Sequence, residues 1–346
     1  MIKQCGQGGA APDNFGYMSM KKIKIGNQGS GPIAQKVLSK IRKIQAQKVV
    51  DLSQFREAKL VAENMDKTVI TEKEMAAFDP VHAVYVYAQN KMSIFSEQLG
   101  ELPELSKLVN TIADAQDEYM PSYPPMSPLT SSYFTCWEFF DLTTGIKRET
   151  FGTIIIDVCR TLGVDKNLMT IFEFMQGSRM GFYVHEGRTE KFVFLRELVT
   201  GRRLKAVSPA GYLGKTGEIW YARIMPEPFP EIGYGYGIVF TTPYVLVEID
   251  KNDRLLASSE KKWMEFFERN LPATGLKSPA AAYEYFMKHG LSRQKMKYPR
   301  SGMHYWNEFV FEGYVNHQDN MILLAGYPDM PLSRPHSAET QALRGE

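Results

Sequence analysis

At 346 residues the chain is longer than a single hydrophobic core usually serves, so two domains plus attached segments are expected. A composition of 44% hydrophobic, 12% aromatic and 23% charged residues excludes wholesale disorder, collagen and low-complexity classes. The net charge of +2 hides an asymmetry: residues 1–48 hold nine of the 41 basic residues and one of the 39 acidic ones, leaving the front strongly cationic and the remainder acidic.

Residues 1–20 are Gly-rich, with few large apolar positions, and read as a disordered leader. Residues 21–120 read as a basic strand–helix arm followed by a helical domain. Lys21 to Ile25 alternates like a strand, and a helix is expected from Pro32 to about Lys48, with Ile33, Val37, Ile41 and Ile44 on one face and Lys36, Lys40, Arg42 and Lys43 around the rest. Thr71 and Glu74 stand at capping-box spacing. Asp79-Pro80 opens a longer helix closed near Gly100, and Pro103 starts another. Four prolines between Pro121 and Pro128 mark a linker and the main domain boundary.

Residues 129–328 are expected to form an α+β domain. Helices are predicted from Thr150 to Leu162, closed by Gly163, and from an Asp165 cap to Gln176. From Gly181 the hydrophobic period changes to two. Short strands are predicted at Phe182–His185, Phe192–Leu198, Arg203–Val207, Glu218–Met225, Gly237–Thr242 and Tyr244–Ile249. Such a module, near 181–249, implies a small antiparallel sheet or a partly open barrel. Helices at Ser259–Asn270 and Pro279–His289 follow, then strand-like segments at Trp306–Val315 and Met321–Ala325, then an irregular tail over 329–346.

Chemistry is sparsely encoded. Gly26, Gly29 and Gly31 precede a helix, where backbone N–H groups can cradle phosphate, but the spacing is GxxGxG rather than a nucleotide-binding fingerprint, so a hinge is the favoured reading. Glu173, Arg179, His185 and Glu186 could perform acid–base work if folded into one cleft; a polar hairpin rim is the plainer reading. His304, Glu308, His317 and Asp319 lie in strand-like sequence without a paired ligand motif, and no metal or other cofactor is expected. Cys136 and Cys159 sit among apolar residues and read as core. Three cysteines without a disulfide spacing, and a start lacking a signal-type apolar stretch, place the chain in the cytoplasm.

Trp137-Glu-Phe-Phe-Asp141, Ser178-Arg-Met-Gly-Phe-Tyr-Val184, Leu195-Arg-Glu-Leu-Val-Thr-Gly201 and Gly217-Glu-Ile-Trp-Tyr-Ala-Arg-Ile-Met-Pro226 resemble the region beside the SEC-C zinc motif in uncharacterised bacterial proteins. The resemblance covers residues 133–226. It implies a bacterial origin, an aromatic strand followed by helices and a compact β module; the Cys-rich zinc element is absent, so neither zinc nor an activity follows from it.

The reading as a whole is a non-enzymatic binding or regulatory protein. Lys36, Lys40, Arg42, Lys43 and Lys48 would engage an acidic protein surface or a nucleic-acid backbone, without a membrane. The alternatives are a hydrolase or nuclease built on Glu173, Arg179, His185 and Glu186, and a structural oligomer component. Stoichiometry is not encoded legibly.

Overall fold

The computed structural model describes residues 30–46, 60, 69–119, 128–145, 147–249, 255–289, 309–311 and 322–324. The expected leader, the strand at 21–25, Lys48, the turn-linker residues 121–127, the four possible metal ligands and the tail lie outside these residues.

The protein is α+β: N-terminal helices, then a mixed five-strand barrel carrying extra strand, then two C-terminal helices. Helix α1 spans Pro32–Ala46. The short α2, Glu72–Met75, opens on the capping box expected at Thr71 and Glu74, each satisfying the other's backbone N–H. Helix α3, Pro80–Gly100, starts where the Asp79 side chain accepts the Val81 N–H and Pro80 occupies a position that needs no donor. A 3-10 turn at Pro103–Leu105 leads into α4, Ser106–Tyr119. Helices α5 (Pro128–Phe140), α6 (Phe151–Leu162) and α7 (Lys166–Gly177) complete this layer. The aromatic segment expected as a strand from the SEC-C resemblance is instead α5. Its Tyr133, Phe134 and Trp137 are buried at helical spacing, so one face carries the bulk that a strand would have divided between two.

Strands β1 (Met180–Arg188), β2 (Val193–Glu197) and β3 (Arg203–Val207) form an antiparallel meander. Gly201 turns the second hairpin at a φ of 68°, a conformation costly for residues with a side chain. Strand β4 (Ile219–Met225) returns to pair with β1, and β5 (Gly237–Val239) runs antiparallel to the end of β4. The sequence predicts an antiparallel sheet or an open barrel, but β5 also pairs in parallel with β3, Ala206 opposite Gly237, and so closes the ring. Closure removes sheet edges that would otherwise need protection. Strands β6 (Tyr244–Ile249) and β7 (Leu255–Ala257) extend the sheet beyond β4. Helices α8 (Glu260–Asn270) and α9 (Pro279–His289) follow, and a two-stranded ribbon pairs β8 (Phe309–Phe311) with β9 (Ile322–Leu324).

Strand alternation sorts the barrel's side chains. Tyr183, Val193, Leu195, Leu204, Ala206, Trp220, Ala222, Ile224 and Val239 fill its interior. The outward Met180, Phe182, Val184, Ile219 and Tyr221 meet α5, α8 and α9 in an aromatic core, with the Phe182 ring 4.6 Å from that of Trp263. A further core joins α1, α3, α6 and α7 to Met225 and Ile238 of the barrel, so it mixes residues from both sides of the proline-rich stretch.

Candidate functional site

Helix α1 contains four basic residues and no acidic one. It lies on α6 and on the 3-10 turn, burying Ala34, Val37 and Leu38 completely or nearly so. Of the expected face only Val37 is fully buried, Ile33 and Ile41 are half-buried, and Ala34 and Leu38 take the other buried places. Ile44 is 51% exposed.

The N-terminus of α1 is held by a carboxylate from far along the chain. Glu149, only 6% exposed, accepts the Ile33 N–H at 3.1 Å on each oxygen and the Ala34 N–H at 2.9 Å. These are the donors a helix start leaves unsatisfied, and the positive end of the helix dipole favours the negative charge. A Cβ on Gly31 would stand 2.2 Å from the Glu149 carboxyl carbon, so the last glycine of the GxxGxG run is needed for the approach of that side chain. The helix start that would face a phosphate is occupied by the protein's own carboxylate, and Gly26 and Gly29, the other glycines of the expected hinge, lie outside the described residues. Asp157, whose pKa is raised chiefly by burial, also bonds to Ser30 and Gly31.

The carboxylates thus neutralise the helix terminus and leave its side-chain cations alone. Lys36, Arg42 and Lys43 are exposed and Lys40 is half-buried, and none of the four forms an ion pair among the described residues.

The four residues considered for acid–base chemistry have separate partners. Glu173 binds the exposed Arg160 at 3.0 Å. Arg179 is buried between Glu197, at 2.8 Å, and Glu284, which it grips with two hydrogen bonds of 2.6 Å, while its guanidinium lies 4.8 Å from the Tyr283 ring centre. Burial works against its charge, but Glu197 and Glu284 outweigh that and hold its pKa above the ordinary arginine value. His185 is 1% exposed; its Nε2 lies 2.9 Å from the Leu213 carbonyl and its ring packs on Trp220. Burial lowers its pKa, against the opposing pull of the Leu213 carbonyl and Glu218. Glu186 turns to the outside of the barrel, bonding Arg196 at 2.9 Å and Arg203 at 2.8 Å. A register shift between His185 and Gly187 accompanies this divergence of neighbouring side chains.

A second buried charge cluster was not legible in the sequence. Arg223 on β4 is fully buried against Asp141, which follows α5, and donates to the carbonyl and hydroxyl of Ser178 at 2.9 Å. Lys288 of α9 donates to the other Asp141 oxygen and to the Ser178 carbonyl at 2.8 Å, and to the Gln176 carbonyl at 2.7 Å. Burial draws its pKa down to about 8 against the opposing pull of Asp141. Two cations share the one carboxylate, with backbone carbonyls as further acceptors and the Arg223 Nε left without a hydrogen-bond partner, and the cluster joins α5, α7, the barrel and α9. Only the polar residues at otherwise apolar positions of β4 and α9 could have signalled it.

Cys136 and Cys159 are buried free thiols, as expected of core cysteines. Among the described residues no group of three or more His, Cys, Asp or Glu is placed to hold a metal ion, and no helix is long and apolar enough to cross a membrane. No family model matches the chain, and no curated protein and no solved structure is significantly similar to it.

Proposed function

We propose that this is a non-enzymatic binding protein that engages an acidic partner through the cationic face of α1. The observation that carries this reading is the way α1 is fixed: its apolar stripe is buried and its N-terminus is capped by Glu149, while Lys36, Arg42 and Lys43 stand exposed without an ion-pair partner among the described residues. A helix anchored on one side presents its charges at fixed spacing, so a polyanion gains the Coulomb attraction and counterion release without also ordering a loose arm. The unpaired thiols Cys136 and Cys159 favour a reducing, cytoplasmic setting.

The hydrolase alternative draws no support from the geometry. Glu173, Arg179, His185 and Glu186 are each engaged by different partners, and His185 has no carboxylate at its ring nitrogens to orient it as a base.

The experiment is binding to heparin and to polyglutamate across a sodium chloride series, comparing the full chain with a K36Q/K40Q/R42Q/K43Q variant. The variant should bind at least tenfold more weakly at low salt, with a flatter dependence of log affinity on log salt. Equal affinity and equal slope would remove α1 from the interface.

A further inference from the structure

The connection between β3 and β4, residues 208–218, lies against the interior of the barrel. Most of it is exposed, and the residue it turns inward is Leu213, which packs on the interior cluster that holds Tyr183, Leu195 and Trp220. Gly214 lets the chain pass close behind: it has a φ of 66°, and a Cβ there would stand 2.3 Å from Cζ2 of Trp220. One half-buried leucine gives an exposed connection little apolar anchorage, so polar bonds decide whether it stays down.

Those bonds come from two side chains. His185 of β1 brings Nε2 to 2.9 Å from the Leu213 carbonyl, and Tyr212 places its hydroxyl on both oxygens of Glu218, at 2.9 Å and 3.0 Å. Glu218 also takes the Trp220 indole N–H at 3.0 Å. The backbone of His185 adds a further hold, its carbonyl accepting the Gly217 N–H at 2.8 Å.

The bond to Leu213 is of a kind that acid spoils. The carbonyl needs the proton on Nε2, which leaves Nδ1 as a bare lone pair; that atom is buried and meets no hydrogen-bond partner among the described residues. A second proton would put a charged donor there, in a residue only 1% exposed. Two charged groups act on the ring and oppose one another: Glu218, at the foot of β4, favours the imidazolium, and Arg188 of its own strand disfavours it. Its own carbonyl favours it least and is already engaged by Gly217. On β2 the residue opposite is the apolar Leu195, and the neighbouring charges are paired elsewhere, Glu186 with Arg196 and Arg203, Glu197 with Arg179 and Arg202. Lys215 of the connection is exposed. Burial outweighs the favourable pulls and lowers the pKa.

We infer that the 208–218 connection is an acid-released stopper: it seals the Trp220 end of the barrel while His185 is neutral, and leaves that end open once the imidazole takes up a second proton. Lifting the connection lets water reach the ring and restores its ordinary value of about 6.5. The closed form, which holds the ring below that value, is favoured at higher pH. Opening grows as the pH falls through about 6.5, by up to about tenfold per pH unit, until the closed form's own lower value is reached. The device is independent of the binding proposed for α1.

The test is hydrogen exchange of the full chain at pH 7.5 and pH 5.5, read by mass spectrometry and corrected for the intrinsic pH dependence of exchange. The Gly217 amide, freed when the connection lifts, should exchange roughly three- to tenfold faster at the lower pH, while the β2–β3 hairpin keeps its protection. His185→Gln retains a donor for the Leu213 carbonyl but does not titrate, and should abolish the difference between the two pH values. The inference is overturned by no acceleration in the intact protein, by an equal acceleration across the hairpin, or by the same pH response in H185Q. The first two outcomes are read on the unaltered chain, so the test stands even where the variant fails to fold.

Discussion

The Glu149 carboxylate receives the Ile33 N–H on both of its oxygens, at 3.1 Å each, across 116 positions of sequence. A basic segment that reads as an arm is thereby part of the folded body. Glu149→Ala should lower stability by about 1–2 kcal/mol, the usual range for losing a helix cap, and should speed amide hydrogen exchange over residues 33–38. Gly31→Ala should produce the same local signature, because the added methyl collides with the Glu149 carboxyl group. Unaltered exchange in both variants would show that the apolar stripe alone holds the helix.

Asp141 is the shared carboxylate of Arg223 and Lys288 in the buried interior, so removing it leaves Arg223 charged and without its carboxylate. Asp141→Asn should cost about 3–5 kcal/mol, measured as a shift of the urea midpoint. Combining it with Arg223→Met should recover part of that loss. A double variant whose cost is simply the sum of the two would contradict the coupling.

Glu138 gives the protein a defined pH dependence. Burial pushes its carboxyl up to about 7 from an ordinary 4.5. The folded chain therefore retains this proton where the unfolded chain has released it. The associated stabilisation is complete below about pH 4.5 and is lost as the pH rises through about 7. Glu138→Gln should match the parent near pH 4.5 and exceed it by about 1–3 kcal/mol at pH 8. Thermal melts at the two pH values check this, and an equal effect at both would refute it.

Burial also holds the thiols of Cys136 and Cys159 protonated, pushing their pKa values up to about 11 and about 12. At pH 8 neither should be alkylated by iodoacetamide in the native protein within an hour, while both should be in denaturant. Peptide mass spectrometry distinguishes the sites, and rapid native labelling of either would sink the assignment.

Much of the fold was legible because local chemistry and tertiary structure agree. Thr71 with Glu74, Asp79 with Pro80, and Gly163 act where their capping patterns place them, and Arg203–Val207 and Tyr244–Ile249 form strands with the expected bounds. What escaped was non-local. The parallel β3–β5 pairing has no sequence period of its own, and the α5 aromatics are dense enough to satisfy either strand or helix. His185 meets Leu213 across 28 positions of sequence, so their contact was hidden until the barrel closed. Glu149 was hidden for the same reason: a lone acid in a loop carries no mark of the helix it will cap.

Glu284, which grips Arg179, and Lys288, which reaches Asp141, both reside on α9, downstream of the whole barrel. Cut free at residue 249, the barrel would lose those partners and bare Phe182 and Tyr221, now covered by the C-terminal helices. It is therefore not a detachable cassette. Any recombination that moved these strands to another chain would have to carry α9 along, or else replace its two charges and its aromatic cover together.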